Sequence, residues 1–145
     1  MNRRSLIAIG AAALVAGEAS ATPRSTRRTV EAYLAAWRAC DLAAIAACMH
    51  PDVRFTAPNA QSTGLAAYRA STARFLSLVE EVVVRADVVG SGKAMFAYDF
   101  VCRPPIGRAP TAELVHIENG WILESEIFFD VRPFEAFARG ARLRP

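Results

Sequence analysis

Glu113 opens the segment ELVHIENG, which reads as a strand running into an Asn-Gly turn. If the odd-numbered residues of this stretch point one way, the Glu113 carboxyl shares a face with Val115 and Ile117. An apolar face excludes water, disfavours the charged carboxylate and raises its pKa, so that the group can give or take a proton near neutral pH. Asp99 is as unusual. In KAMFAYDFVC it shares a strand face with Met95, Ala97 and Val101, which makes it a second acid/base candidate. Arg103 and Arg108 follow in the next loop and offer Asp99 the alternative of a structural ion pair. Tyr33 supplies a third group, an apolar ring whose hydroxyl needs a partner when buried. It can donate to a substrate oxygen or serve as an ordinary core tyrosine.

Other chemistries find little support. His50 stands before a proline at a helix end, and His116 stands alone in a strand. Neither has a companion at metal-ligand spacing, and there is no G-x-S-x-G nucleophile, phosphate loop or dinucleotide fingerprint. No metal and no cofactor are therefore expected. Cys40, Cys48 and Cys102 are odd in number, so at least one is unpaired within the chain. All three read as small buried apolar residues, although an oxidising compartment would permit a Cys40–Cys48 disulfide. The net charge of +3 is too small to suggest a nucleic-acid surface.

The elements that must position these groups can be traced along the chain. Val30, Tyr33, Leu34 and Trp37 fall on one face of a helix spanning 29–40. Asp41 fits the N-cap of a shorter helix that ends at His50-Pro51. Residues 53–57 alternate as a strand, with Val53, Phe55 and Ala57 on one face. The loop PNAQSTG leads to a third helix, capped by Ser62 or Thr63, with Leu65, Tyr68, Thr72, Phe75, Leu76 and Val79 along one stripe. Residues 81–89 and 93–102 read as strands separated by a Gly-Ser-Gly turn, and 103–110 as a proline-rich loop. Residues 111–118 and 121–129 form a hairpin about Asn119-Gly120, the preferred pair for a type I′ turn. That turn pairs Glu118 with Trp121 and, without a bulge, sets Glu113 opposite Glu126. One inserted residue would flip every later side chain. Apolar bias places Trp121, Leu123, Ile127 and Phe129 toward the core. A last helical turn is expected over 133–139. Helices followed by a run of antiparallel strands predict an α+β fold in which one curled sheet wraps the helices and leaves a hollow.

This order resembles the nuclear transport factor 2-like superfamily, and within it the SnoaL-like polyketide cyclase and ketosteroid isomerase branches. YLAAWRACDLAAIAACMHPDVRFTAP is similar to the family's helix–helix–strand opening, and ELVHIENGWILESEIFFD to its closing hairpin. The likeness covers about residues 29–131. It implies a cone-shaped fold with an apolar cavity between sheet and helices, and dimerisation through the exposed sheet face. It also implies an oxyanion-hole role for Tyr33 and a functional acid at Glu113. Ala57 stands where the isomerases carry their proton-moving Asp, so this chain departs from classical steroid-isomerase chemistry.

The first 21 residues read as an export signal: Arg3 and Arg4, an apolar stretch from Leu6 to Ala16, then Ala19-Ser20-Ala21 for cleavage. Arg3-Arg4-Ser5-Leu6-Ile7 is twin-arginine-like, although general secretion stays open. Cleavage removes Arg3, Arg4 and Glu18, leaving 15 basic and 13 acidic residues. No apolar run reaches the ~18 residues that would span a bilayer. A single domain over 22–145, exported to the periplasm or medium and homodimeric, is expected. It would hold a small apolar molecule against Trp37, Phe55, Tyr68, Phe75 and Phe129. Isomerase, cyclase or dehydratase chemistry at Glu113, Tyr33 or Asp99 is one expectation. A non-catalytic binder or a dimerising interaction module is the alternative.

Overall fold

A computed structural model describes residues 23–142, so the expected export segment at 1–21 lies outside the described residues. In chain order the elements are α1 (Pro23–Arg38), α2 (Leu42–Ala47), β1 (Met49–Ala57), β2 (Ala60–Thr63) and α3 (Leu65–Leu76). Then come β3 (Val79–Val89), β4 (Lys93–Cys102), β5 (Gly107–Glu118), β6 (Trp121–Phe129) and α4 (Arg132–Arg142). The fold is α+β, as the pattern predicts. One six-stranded sheet runs β2-β1-β6-β5-β4-β3. Only the β1–β6 pair is parallel.

The sheet curves around α1, whose stripe of Val30, Tyr33, Leu34 and Trp37 is buried. Apolar residues on one helical face and on alternate strand positions can leave water together only if helix and sheet pack face to face. The start of α1 is also pinned by hydrogen bonds. The Gly92 amide donates to Thr26 Oγ1 (3.1 Å) and Thr29 Oγ1 donates to the Gly120 carbonyl (3.1 Å), tying the helix to the β3–β4 and β5–β6 turns. Asp41 caps α2 as expected, its carboxylate accepting from the Ala44 amide at 3.0 Å.

Four expectations are corrected. The loop PNAQSTG is not a simple loop. Pro58-Asn59 turns the chain tightly and β2 pairs back on β1, from Arg54↔Thr63 to Ala57↔Ala60. Ser62 and Thr63 are thus strand residues, and Gly64 (φ +91°) caps α3 without a side-chain bond. The proline-rich loop is shorter than expected, because β5 starts at Gly107 and includes Pro110. Pairing of β5 with β6 begins only at Thr111, so Pro110 sits where the strand has one neighbour and its missing N–H is tolerated. The Asn119-Gly120 turn has positive φ at both residues and pairs Glu118 with Trp121, but Leu123 is a bulge residue. Glu113 therefore lies opposite Ile127, and Glu126 lies opposite Leu114 on the outer face. Trp121 is exposed and Leu123 half-buried, while Ile122 takes the core position. Lastly, the terminal helical turn is a three-turn helix, α4. All three cysteines are free thiols, so no Cys40–Cys48 disulfide forms.

Candidate functional site

Glu113 lies on the concave face of β5, between β4 and β6, and is only 1% exposed. Register explains its partners. Phe96 and Ile127 stand directly beside it, and Tyr98 and Ser125 occupy the diagonal positions on the flanking strands. Ser125 Oγ donates to Glu113 Oε1 at 2.6 Å and Tyr98 Oη donates to Oε2 at 2.5 Å. From α1, Tyr33 Oη donates to Oε1 at 2.8 Å. Tyr68 on α3 extends the group, with its hydroxyl 3.4 Å from that of Tyr33 and also bonded to Thr72.

All three of these partners of the carboxyl are hydroxyls, and none is basic. Burial pushes the Glu113 pKa above the usual carboxylate range, while the Ser125, Tyr98 and Tyr33 bonds pull it partly back. Burial and the nearby carboxyl push the Tyr33, Tyr68 and Tyr98 hydroxyls up as well, so these phenols stay protonated and remain donors. A hydroxyl both donates and accepts. When Glu113 is ionised, three O–H bonds converge on it. When it is protonated, one partner can turn and accept. Both states thus find hydrogen-bond partners, as proton exchange requires.

The carboxyl forms part of the wall of a cavity of about 180 Å³. Trp37, Phe55, Tyr68, Phe75 and Phe129, the residues expected to hold an apolar molecule, all line it, together with Tyr33, Ala57 and Phe134 from α4. Asn59 and Ala60, both exposed, form its rim. The volume falls below the ~300 Å³ at which ordinary ligand pockets begin. The occupant must therefore be compact or project past the rim.

Asp99 does not join this site. It points to the opposite face of β4, buried to 5% exposure, where Arg108 Nη1 donates to Oδ2 at 2.6 Å and Arg85 Nη1 stands 3.6 Å from Oδ1. Strand alternation decides this, since Tyr98 and Phe100 take the inward positions on either side of it. The ion pair is its observed role, with Arg108 as one of its expected partners. Arg103 instead donates to the Ser77 carbonyl.

Tyr98 and Ser125 were not singled out in the sequence. Tyr98 is the hydroxyl in the inward row Phe96, Tyr98, Phe100, and Ser125 interrupts the inward apolar row of β6. A polar residue breaking such a row was the available signal, but the Leu123 bulge hid Ser125. Among the described residues, no three His, Cys, Asp or Glu side chains converge to hold a metal. No described helix is long and apolar enough to cross a membrane.

Residues 30–124 match the model of the SnoaL-like domain. The chain belongs to the SnoaL-like family. Among solved structures it is similar to a Kribbella flavida protein at 29% identity, covering 81% of this chain and 96% of that one, with a TM-score of 0.73. A nuclear transport factor 2-like protein from Cytophaga hutchinsonii matches at 20% identity over 76% and 94% of the two chains, TM-score 0.65. A second Kribbella flavida protein, provisionally called a ketosteroid isomerase, matches at 16% identity over 74% and 78%, TM-score 0.66. At the last two identities the likeness speaks for the fold alone. The fold of this SnoaL-like chain is nuclear transport factor 2-like. No match is found among curated proteins.

Proposed function

We propose that this SnoaL-like protein binds a small apolar molecule in its cavity and exchanges a proton with it through Glu113. The chemistry would be of the isomerase, cyclase or dehydratase kind. The observation carrying this reading is the buried carboxyl in the cavity wall, raised in pKa and served by three hydroxyls able to accommodate either protonation state. Ala57 lines the same cavity with a methyl group, so no second carboxylate stands there to share the work. Glu113 would both take the proton and return it, as a single base can in an isomerisation. Tyr33 and Tyr98 would hold the carboxyl in place. The likeness to a protein provisionally called a ketosteroid isomerase supports the reaction class only through the shared fold.

The test is turnover and binding of steroid-like, terpenoid and smaller enone compounds by wild type and Glu113→Gln. Proton transfer of this kind contributes about 10²–10⁴-fold. Glu113→Gln should therefore lose at least about 100-fold in turnover while binding within a few fold of wild type. Equal binding by both, with no turnover by either, would favour the second reading, a non-catalytic binder. That reading draws on the same geometry, because three donors converging on one carboxyl also suit a fixed structural group.

Two further parts of the proposal concern the whole protein. The segment 1–21 would direct export by the twin-arginine or the general route, with cleavage after Ala21. Purification from the periplasm of a chain beginning at Thr22 would support this, and an intact cytoplasmic chain would refute it. The outer sheet face exposes Met95, Leu114 and Phe128, with Val88 beside Met95. Burying that apolar surface against a second copy would form a homodimer.

A further inference from the structure

Helix α4 (Arg132–Arg142) carries Phe134, Phe137, Ala138 and Ala141 on one face and Arg132, Glu135, Arg139 and Arg142 on the other. Such a helix folds by burying its apolar face, yet none of its residues is fully buried. Phe134 and Phe137 are half-buried against the core. The Phe134 ring centroid lies 5.3 Å from that of Phe129 and 5.9 Å from that of Phe75, and the ring forms part of the cavity wall. The lining does not include Phe137.

Polar bonds do not fasten α4 to the body. Among the described residues, its hydrogen bonds and ion pair beyond its own turns stop at Asp130 and Val131, the two residues that link it to β6. Helix α1, by contrast, is hydrogen-bonded to two turns of the sheet, and the rim residue Ala60 is held in the β1–β2 ladder. A segment fixed by few apolar contacts lies at the low end of local stability and opens while the rest stays folded. Helix α4 is thus the part of the cavity wall that moves at least cost. The size of the cavity gives such motion a use. At about 180 Å³ it is smaller than an ordinary ligand pocket, and withdrawing the Phe134 ring would add that ring's volume and an opening at the side.

We propose that α4 is a gate. It swings out on the Asp130-Val131 link, withdraws Phe134 from the wall, admits the ligand and closes over it. Phe137 is the latch, because it holds α4 to the core without lining the cavity. This rests on the reading of the cavity as a binding site for a small apolar molecule, and it adds the route of entry and what sets its rate. An isolated helix of 11 residues is marginal in water, so release from the core also frays α4 and exposes its amides.

The test has two arms. The first is amide hydrogen exchange of the ligand-free protein. The α4 amides should exchange as a group, at least about 100-fold faster than those of α1 and β4, and Phe137→Ala should speed α4 alone. The second is stopped-flow binding of 2-naphthol, an apolar fluorescent probe, to wild type and Phe137→Ala. A weaker latch favours the open form whether the cavity is empty or filled. Association and dissociation should therefore both quicken about tenfold while Kd stays within about twofold. Rates unchanged in Phe137→Ala, or α4 amides protected as strongly as the sheet, would overturn the gate and leave entry to the rim at Asn59, with the binding cavity intact. Absence of 2-naphthol binding by both proteins would overturn the gate together with the reading on which it rests.

Discussion

At the scale of single residues, everything turns on a carboxyl that folding removes from water without giving it a cation. A folded-state pKa above the unfolded one means that the folded protein holds its proton more tightly. The associated stability is fully present below the unfolded pKa and is lost as pH rises through the folded pKa. Urea unfolding of wild type should therefore show stability falling across that interval, and Glu113→Gln should remove the Glu113 share of the slope. An unchanged slope in the variant would show that Glu113 titrates alike in both states. Tyr33→Phe takes away one of the three donors that favour the anion. It should raise the Glu113 pKa further and shift any pH–rate profile that depends on it to higher pH, with the fold intact. A profile that does not move would separate Tyr33 from the proton chemistry. Glu113 could be read from the sequence because a carboxylate sharing a strand face with Val115 and Ile117 is a local anomaly, whereas Tyr33, an ordinary residue on an apolar helix stripe, was marked by the family resemblance. Tyr98 and Ser125 could not, since each becomes a partner only through its register against β5.

At the scale of elements, the closing hairpin aims the carboxyl. Its turn was legible because Asn119-Gly120 satisfies a local demand for positive φ. A methyl group at Gly120 would meet only Thr29 Oγ1 at 3.8 Å, so the cost of Gly120→Ala lies in the backbone (φ +79°). That cost should be about 1–2 kcal/mol, measured by thermal or urea unfolding. Loss of more than that would mean the turn also carries packing. The Leu123 bulge was not legible, because neither neighbour announces it and period-two patterning through WILESEIFF allows more than one phase. Its effect is decisive. Without it Glu113 would face Glu126, and two carboxylates would share the cavity instead of one carboxylate and a hydroxyl. β2 was missed for a similar reason: Ala60-Gln61-Ser62-Thr63 has no apolar alternation of its own and becomes a strand only by pairing with β1. Strands β3 and β4, with strong periodicity, were read close to their observed bounds, whereas α1 starts six residues before its expected beginning at Thr29, because its first turns lack an apolar stripe.

At the scale of the molecule, the fold places apolar surface on both sides of one sheet. The concave side is closed by α1 and α3 around the cavity. The convex side leaves Met95, Leu114 and Phe128 exposed and holds the buried Asp99 between Arg85 and Arg108. If a second copy covers that face, Leu114→Arg should convert the dimer to a monomer in light scattering without altering ligand binding in the cavity. A wild type that is already monomeric at high concentration would remove the dimer. The overall architecture was legible because element order and period survive in the sequence. The substrate was not, because a 180 Å³ cavity is the joint product of eight separate elements, and no single segment carries its shape.

The most direct measurement is the titration of the Glu113 carboxyl carbon by ¹³C NMR, its signal identified by subtraction of Glu113→Gln. The account predicts a midpoint above the ordinary glutamate range, moving when one of the steroid-like, terpenoid or enone compounds occupies the cavity. A midpoint at or below that range, unmoved by any cavity ligand, would make Glu113 a fixed structural anion and contradict the proton-exchange function proposed for it.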